Sequence, residues 1–152
     1  MRLHLIAGGK RMPAWVGAGY DDYARRMPRE AQLRLREVAL GRRRNNDPAQ
    51  AVAEEGRRML AMVPAGAQLI ALAVDGSPWS TAALAARMAA WMADGRDRAL
   101  LVGGPDGLSA DCLARAELRW SLSPLTLPHG LVRGLTAESL YRAWTVRARH
   151  PY

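Results

Sequence analysis

Three short apolar runs, each ending at glycine, constrain this chain most. They are Leu3-His4-Leu5-Ile6-Ala7 before Gly8-Gly9, Gln68-Leu69-Ile70-Ala71-Leu72-Ala73-Val74 before Asp75-Gly76, and Ala99-Leu100-Leu101-Val102 before Gly103-Gly104. Runs this short and this apolar are strands covered on both faces, the kind found in parallel sheets flanked by helices. The intervening segments carry helical signals. Pro13 opens a helical stretch through Tyr23, Asp47 and Pro48 open one to about Met62, and Ser80 or Thr81 caps one from Ala82 to Ala93. Leu33 to Val38 alternates apolar and charged residues, the pattern of a half-exposed strand near a sheet edge. Alternating strands and helices predict an α/β fold with a largely parallel sheet, as one domain over residues 1–152.

In such sheets a ligand lies outside the carboxyl ends of the strands. Val74-Asp75-Gly76 and Val102-Gly103-Gly104 are therefore expected to end their strands in turns that wall one pocket, where bare glycine backbone approaches a ligand. After a polar segment, Trp120-Ser121-Leu122-Ser123-Pro124-Leu125-Thr126-Leu127-Pro128-His129-Gly130 is apolar yet bracketed by two prolines. It reads as neither a plain strand nor a solvated linker. A long helix follows, with an apolar stripe of Leu131, Leu135, Ser139, Ala143 and Val146, widened by Val132, Leu140 and Trp144. Glu138 and Arg142 flank it four residues apart, Glu first. One sheet face does not cover a stripe that wide, so the helix is expected to build a homodimer.

Composition excludes several classes. No apolar run approaches the roughly 20 residues that cross a bilayer, and the start is too short for a signal-peptide core, so a cytoplasmic protein is expected. The single cysteine, Cys112, forms no intramolecular disulfide, and His4, His129 and His150 lack metal-ligand spacing, so no metal is expected. Gly103 to Gly107 is not followed by Lys-Ser or Lys-Thr, neither glycine turn completes G-x-G-x-x-G, and no G-x-S-x-G elbow occurs. The net charge of +8, carried by arginine with Lys10 as the only lysine, attracts polyanions and makes nucleic acid the leading partner. Arg42, Arg43 and Arg44 sit between Gly41 and Pro48, a stretch expected to be a mobile, unpacked loop. Those arginines are either a solvated charge run or a loop that closes on a phosphate backbone.

Three segments, Gly103-Gly104-Pro105-Asp106-Gly107-Leu108-Ser109, Trp120 to His129, and Glu138-Ser139-Leu140-Tyr141-Arg142-Ala143-Trp144 with the tail His150-Pro151-Tyr152, carry a further signal. Together with Lys10 to Trp15 and Asp75 to Trp79, they make the chain closely resemble the ribosomal RNA large subunit methyltransferase H family of the SPOUT superfamily. The resemblance spans the whole chain. It implies an α/β/α fold with a parallel sheet and a C-terminal deep trefoil knot, the knot and cofactor site covering about residues 70–152. It implies S-adenosylmethionine held by Leu72, Gly103, Gly104, Leu122, Ser123, Pro124, Leu125, Thr126 and Leu127. It implies N3-methylation of a pseudouridine in a 23S rRNA hairpin on the assembled ribosome. His129, Glu138, Arg142 and Tyr152 are the candidate catalytic residues, and Arg133, with Arg42, Arg43 and Arg44, the candidate RNA contacts. The site would be composite, one subunit's cofactor loop facing the other's tail. In that family the tail continues past His-Pro-Tyr with His-Arg and an acidic residue, whereas this sequence stops at Tyr152; a truncated end is expected, with cofactor binding surviving and turnover falling if the end is genuine. The competing readings are a ribosome-binding factor that keeps the fold without the reaction, and a SPOUT enzyme acting on tRNA.

Overall fold

The computed structural model describes residues 1–43 and 47–152. Five strands form one sheet: β1 (Arg2–Gly8), β2 (Gln32–Val38), β3 (Gln68–Pro78), β4 (Arg98–Val102) and β5 (Leu118–Ser121), in the order β2-β1-β4-β3-β5. Every pairing is parallel. The helices are α1 (Ala14–Ala24), α2 (Ala49–Ala61), α3 (Thr81–Asp94), α4 (Ala110–Arg115) and α5 (His129–Ala148). The expected architecture is present, with β2 at one edge.

Alternation along β4 divides the core into two layers. Leu100 and Val102 pack with Leu3, Leu5 and Ile70 against α1, α3 and α5, through Tyr20, Met88, Trp91, Leu140 and Tyr141. Ala99 and Leu101 pack with Ile6, Val38 and Leu69 against α2 and α4, through Met59 and Cys112. Leu100 stands opposite both Leu5 and Ile70, which places it at the middle of the first layer. Helix starts follow local chemistry. Ser80 Oγ accepts the Ala83 amide at 3.0 Å, Ser109 Oγ accepts that of Cys112 at 3.1 Å, and Asp47 Oδ1 accepts that of Ala49 at 3.0 Å.

Four expectations change. First, β3 does not end at Asp75-Gly76. It pairs Leu72 with Trp120, then Ser77 with the same Trp120, so residues 73–76 bulge from the ladder before pairing resumes. Second, Trp120 and Ser121 belong to β5, and α4 precedes them; a six-residue helix and a four-residue strand are too short to show a period. Third, the apolar stripe of α5 is divided: its Leu140 and Ala143 are buried together with Arg133, Thr136, Ala137 and Tyr141, while its Leu131, Leu135 and Val146 lie exposed. The inward face thus mixes part of that stripe with a buried arginine and threonine. Fourth, Arg43 is not an unpacked side chain, because two carboxylates engage it, Glu55 and Asp106. Arg44 lies outside the described residues.

The bulge lets two backbones meet. A Cβ at Gly76 would stand 2.7 Å from the Arg119 carbonyl carbon and 2.8 Å from the Trp120 nitrogen. Gly76→Val is expected to cost about 1–3 kcal/mol by forcing β5 outward. Urea unfolding checks it, and an unchanged midpoint would mean the two strands have slack.

Candidate active site

The bulge of β3 and the ends of β4 and β5 open into a cleft of about 620 Å³. Its walls come from three directions. Leu72, Ala73 and Val74 descend from β3 and its bulge, Gly103 and Gly104 follow β4, and the segment from Leu122 to Pro128 follows β5. The start of α5 closes the fourth side with His129 and Val132. Of the nine residues expected to hold a cofactor, all but Pro124 line this cleft. Trp120, Leu113 and Val132 were not anticipated: Leu113 sits on the unforeseen α4, and Trp120 lines the cleft while stacked on Trp79, centroids 5.2 Å apart.

Each wall is shaped by the chain's own contacts. A Cβ at Gly103 would stand 2.5 Å from the Gly107 carbonyl carbon and 2.7 Å from the Leu108 nitrogen. The glycine is therefore required for the loop to fold onto itself, where the Gly107 amide donates to the Gly104 carbonyl at 3.1 Å. In the 122–127 segment the Ser121 hydroxyl donates to the Ser123 carbonyl at 2.9 Å, and the Leu125 amide donates to Ser123 Oγ at 3.0 Å. Among the described residues the lining holds no carboxylate, lysine or arginine; Ser123, Thr126 and His129 are its polar side chains, with backbone groups between. Such a wall accepts an aromatic or thioether-like ligand and leaves its polar edge to backbone donors and acceptors. Among the described residues no group of His, Cys, Asp and Glu is arranged to hold a metal ion.

His129 sits where this cleft meets a buried charge pair. Arg133, one turn along α5, is 1% exposed. It pairs with Glu37 of β2 and donates to the Gly9 carbonyl at 2.8 Å. Its guanidinium is thus turned inward and occupied within the chain. Burial first, and then Arg133, hold the His129 pKa below its ordinary 6.5, opposed by Glu55.

Glu138, Arg142 and Tyr152 form a separate cluster. Arg142 Nε donates to Glu138 Oε1 at 2.8 Å, and the Tyr152 hydroxyl donates to the same oxygen at 3.0 Å. The Tyr152 ring lies 5.5 Å from Tyr141 and 6.4 Å from Tyr23. Tyr23, then burial and Glu138, push its phenol pKa upward. The cluster borders a second, shallower hollow of about 400 Å³ with Thr145, Val146 and His150. Nine residues of helix, roughly 14 Å, separate it from His129, so one chain does not bring the four candidate catalytic residues together. Arg42 is exposed.

A family model described as "Predicted SPOUT methyltransferase" matches residues 1–152. Ribosomal RNA large subunit methyltransferase H of Methylococcus capsulatus is 56% identical over 153 aligned positions, covering 100% of this chain and 99% of that protein. The protein of the same name from Alkalilimnicola ehrlichii is 57% identical, covering 100% and 98%. A solved structure described as "Structural insights into the 2-OH methylation of C/U34 on tRNA" superposes with a TM-score of 0.50 at 19% identity, over 96% of this chain and 98% of that one, a likeness of fold.

The His129 environment is directly measurable. Its imidazole resonances should titrate with a midpoint below 6.5, and a midpoint at or above that value would contradict the buried cationic setting. The folded chain then binds fewer protons than the unfolded one. Stability attributable to this group is complete above 6.5 and declines as pH falls from there through the folded midpoint.

Proposed function

The chain belongs to the SPOUT methyltransferase family, and from that premise we propose that it methylates N3 of a pseudouridine in 23S rRNA on the assembled ribosome, with S-adenosylmethionine as donor. The observation that carries this reading is the cleft at the β3 bulge and the ends of β4 and β5, walled by apolar side chains and glycine backbone, in a chain matched end to end by relatives named for large-subunit rRNA methylation.

The residues present fit that donor. Leu72, Leu122 and Leu127 offer apolar surface to an adenine ring, while backbone groups of Gly103, Gly104 and the 122–127 segment would take its polar edges. A wall free of carboxylates leaves a sulfonium its reactivity. The bound cofactor supplies an activated methyl group, so the protein needs no nucleophile of its own and contributes alignment and proton removal. His129, at the cleft and held neutral near pH 7 by burial, is suited to accept the N3 proton. Arg142 is suited to stabilise the resulting anion from the side.

Those two residues meet only if a second copy supplies one of them. The exposed Leu131, Leu135 and Val146 along α5, beside Glu138 and Arg142, support a homodimer in which one subunit's tail cluster faces the other's cleft. The same reading makes the C-terminal part a deep trefoil knot and places the protein in the cytoplasm with its ribosomal substrate. The close passage of β5 under Gly76 is consistent with the first. No helix among the described residues is long and apolar enough to cross a membrane.

Calorimetry should detect S-adenosylmethionine binding that Gly103→Val abolishes, and labelled methyl should pass to undermodified ribosomes. Label appearing in tRNA instead would reassign the substrate, and cofactor binding without any transfer would favour a ribosome-binding factor. His129→Ala and Arg142→Ala should each lower turnover on the order of 10²–10⁴-fold. Mixing the two variants after subunit exchange should restore part of the activity; no recovery would overturn the composite site.

A further inference from the structure

Arg43 falls in the arginine-rich stretch expected to meet RNA, yet its side chain is occupied. Its Nε and Nη2 donate to Asp106 Oδ2 at 3.1 and 2.9 Å, and its Nη1 donates to the Gly41 carbonyl at 3.0 Å and to Glu55. Four of the five guanidinium N–H groups are therefore used within the chain. Glu55, on α2, is 1% exposed, and its Oε2 also accepts the Gly41 amide at 2.8 Å. A phosphate would have to compete with two carboxylates, one of them buried.

Both carboxylates bear on the same loop. Asp106 is the tip of the Gly103–Gly107 loop, whose first two residues wall the cleft. The other oxygen of Glu55, Oε1, is buried without a hydrogen-bond partner among the described residues. It lies beneath Gly104, where an added Cβ would stand 3.2 Å from it and 2.8 Å from Leu40 Cδ2. The loop thus rests on Glu55 at one end and is tied through Arg43 at the other. None of Arg43, Glu55 and Asp106 lines the cleft.

We propose that Arg43 is a positioning residue for the cofactor loop: bridging Glu55 and Asp106, it fixes Gly103–Gly107 in the shape that receives S-adenosylmethionine. The inference rests on reading the cleft as that cofactor's site. It separates Arg43 from its exposed neighbour Arg42, which has no place in the bridge.

The test is calorimetric affinity for S-adenosylmethionine, with urea unfolding run on every variant. Asp106→Asn leaves the buried Glu55 paired, so it should unfold like the wild type while binding the cofactor on the order of tenfold more weakly, about 1.4 kcal/mol. Asp106→Glu should restore most of the affinity. Arg43→Ala should weaken binding at least as much, and adding Asp106→Asn to it should cost little more, because the two changes break one link. Arg42→Ala should bind as the wild type does. Wild-type cofactor affinity in Asp106→Asn, or additive losses in the double variant, would overturn the proposal. So would Arg43→Ala that loses only ribosome affinity, which would return Arg43 to RNA contact. A wild-type protein that binds no S-adenosylmethionine would instead refute the reading of the cleft.

Discussion

Backbone laid on backbone, with no side chain between, is the constraint that shapes this site. Gly76 in the β3 bulge presses on the peptide between Arg119 and Trp120, and Gly103 presses on the peptide between Gly107 and Leu108. The first contact lets β5 pass beneath the bulge and deliver the 122–127 segment to the cleft. The second folds the loop after β4 into a compact wall. Main-chain groups held this way are fixed in direction by the ladder and cost no side-chain entropy when a ligand meets them. The glycines serve the protein's contact with itself before they serve any ligand.

Charge is arranged around that frame in two buried knots. Arg133 joins the first turn of α5 to β2 through Glu37 and to the β1–α1 connection through the Gly9 carbonyl. Loss of Glu37 would leave the Arg133 guanidinium buried without its counter-charge, which is the destabilising way to break such a pair. The helix that carries His129, Glu138 and Arg142 is thus located by an ion pair as much as by Leu140 and Tyr141. Glu55 and Arg43 form the second knot on the opposite layer of the sheet. Both knots touch the environment of His129, Arg133 lowering its proton affinity and Glu55 opposing that effect.

The sheet was legible because a strand covered on both faces writes itself as an apolar run, as residues 69–71 and 99–102 do. The cleft was legible in part: the expected turn at Gly103-Gly104 walls it, whereas of Val74-Asp75-Gly76 only Val74 does, because β3 bulges there and continues to Pro78. What stayed hidden depends on partners far along the chain. Arg133 reads as a surface residue until Glu37, 96 positions earlier, is seen beside it, and Arg43 reads as loop charge until Asp106, 63 positions later, is found. The helical wheel showed an apolar stripe on α5 too wide for one sheet face, but not which part is buried: Leu140 and Ala143 turn inward beside Arg133, while Leu131, Leu135 and Val146 stay exposed. The bulge at residues 73–76 had no local signal beyond Gly76, since its cause is the strand beneath it.

The strand order carries a consequence for synthesis. β1 is made first, yet its inner neighbour is β4, with Leu3 opposite Arg98. Until residues 98–102 have left the ribosome, the inner edge of β1 has no strand to pair with, although β2 and the apolar faces of α1 and α2 that cover Leu3, Leu5 and Ile6 are already made. Long-range parallel pairing of this kind is slow to form. The nascent chain must therefore keep its first strand from foreign company through most of translation, and the sheet closes late, around its own centre.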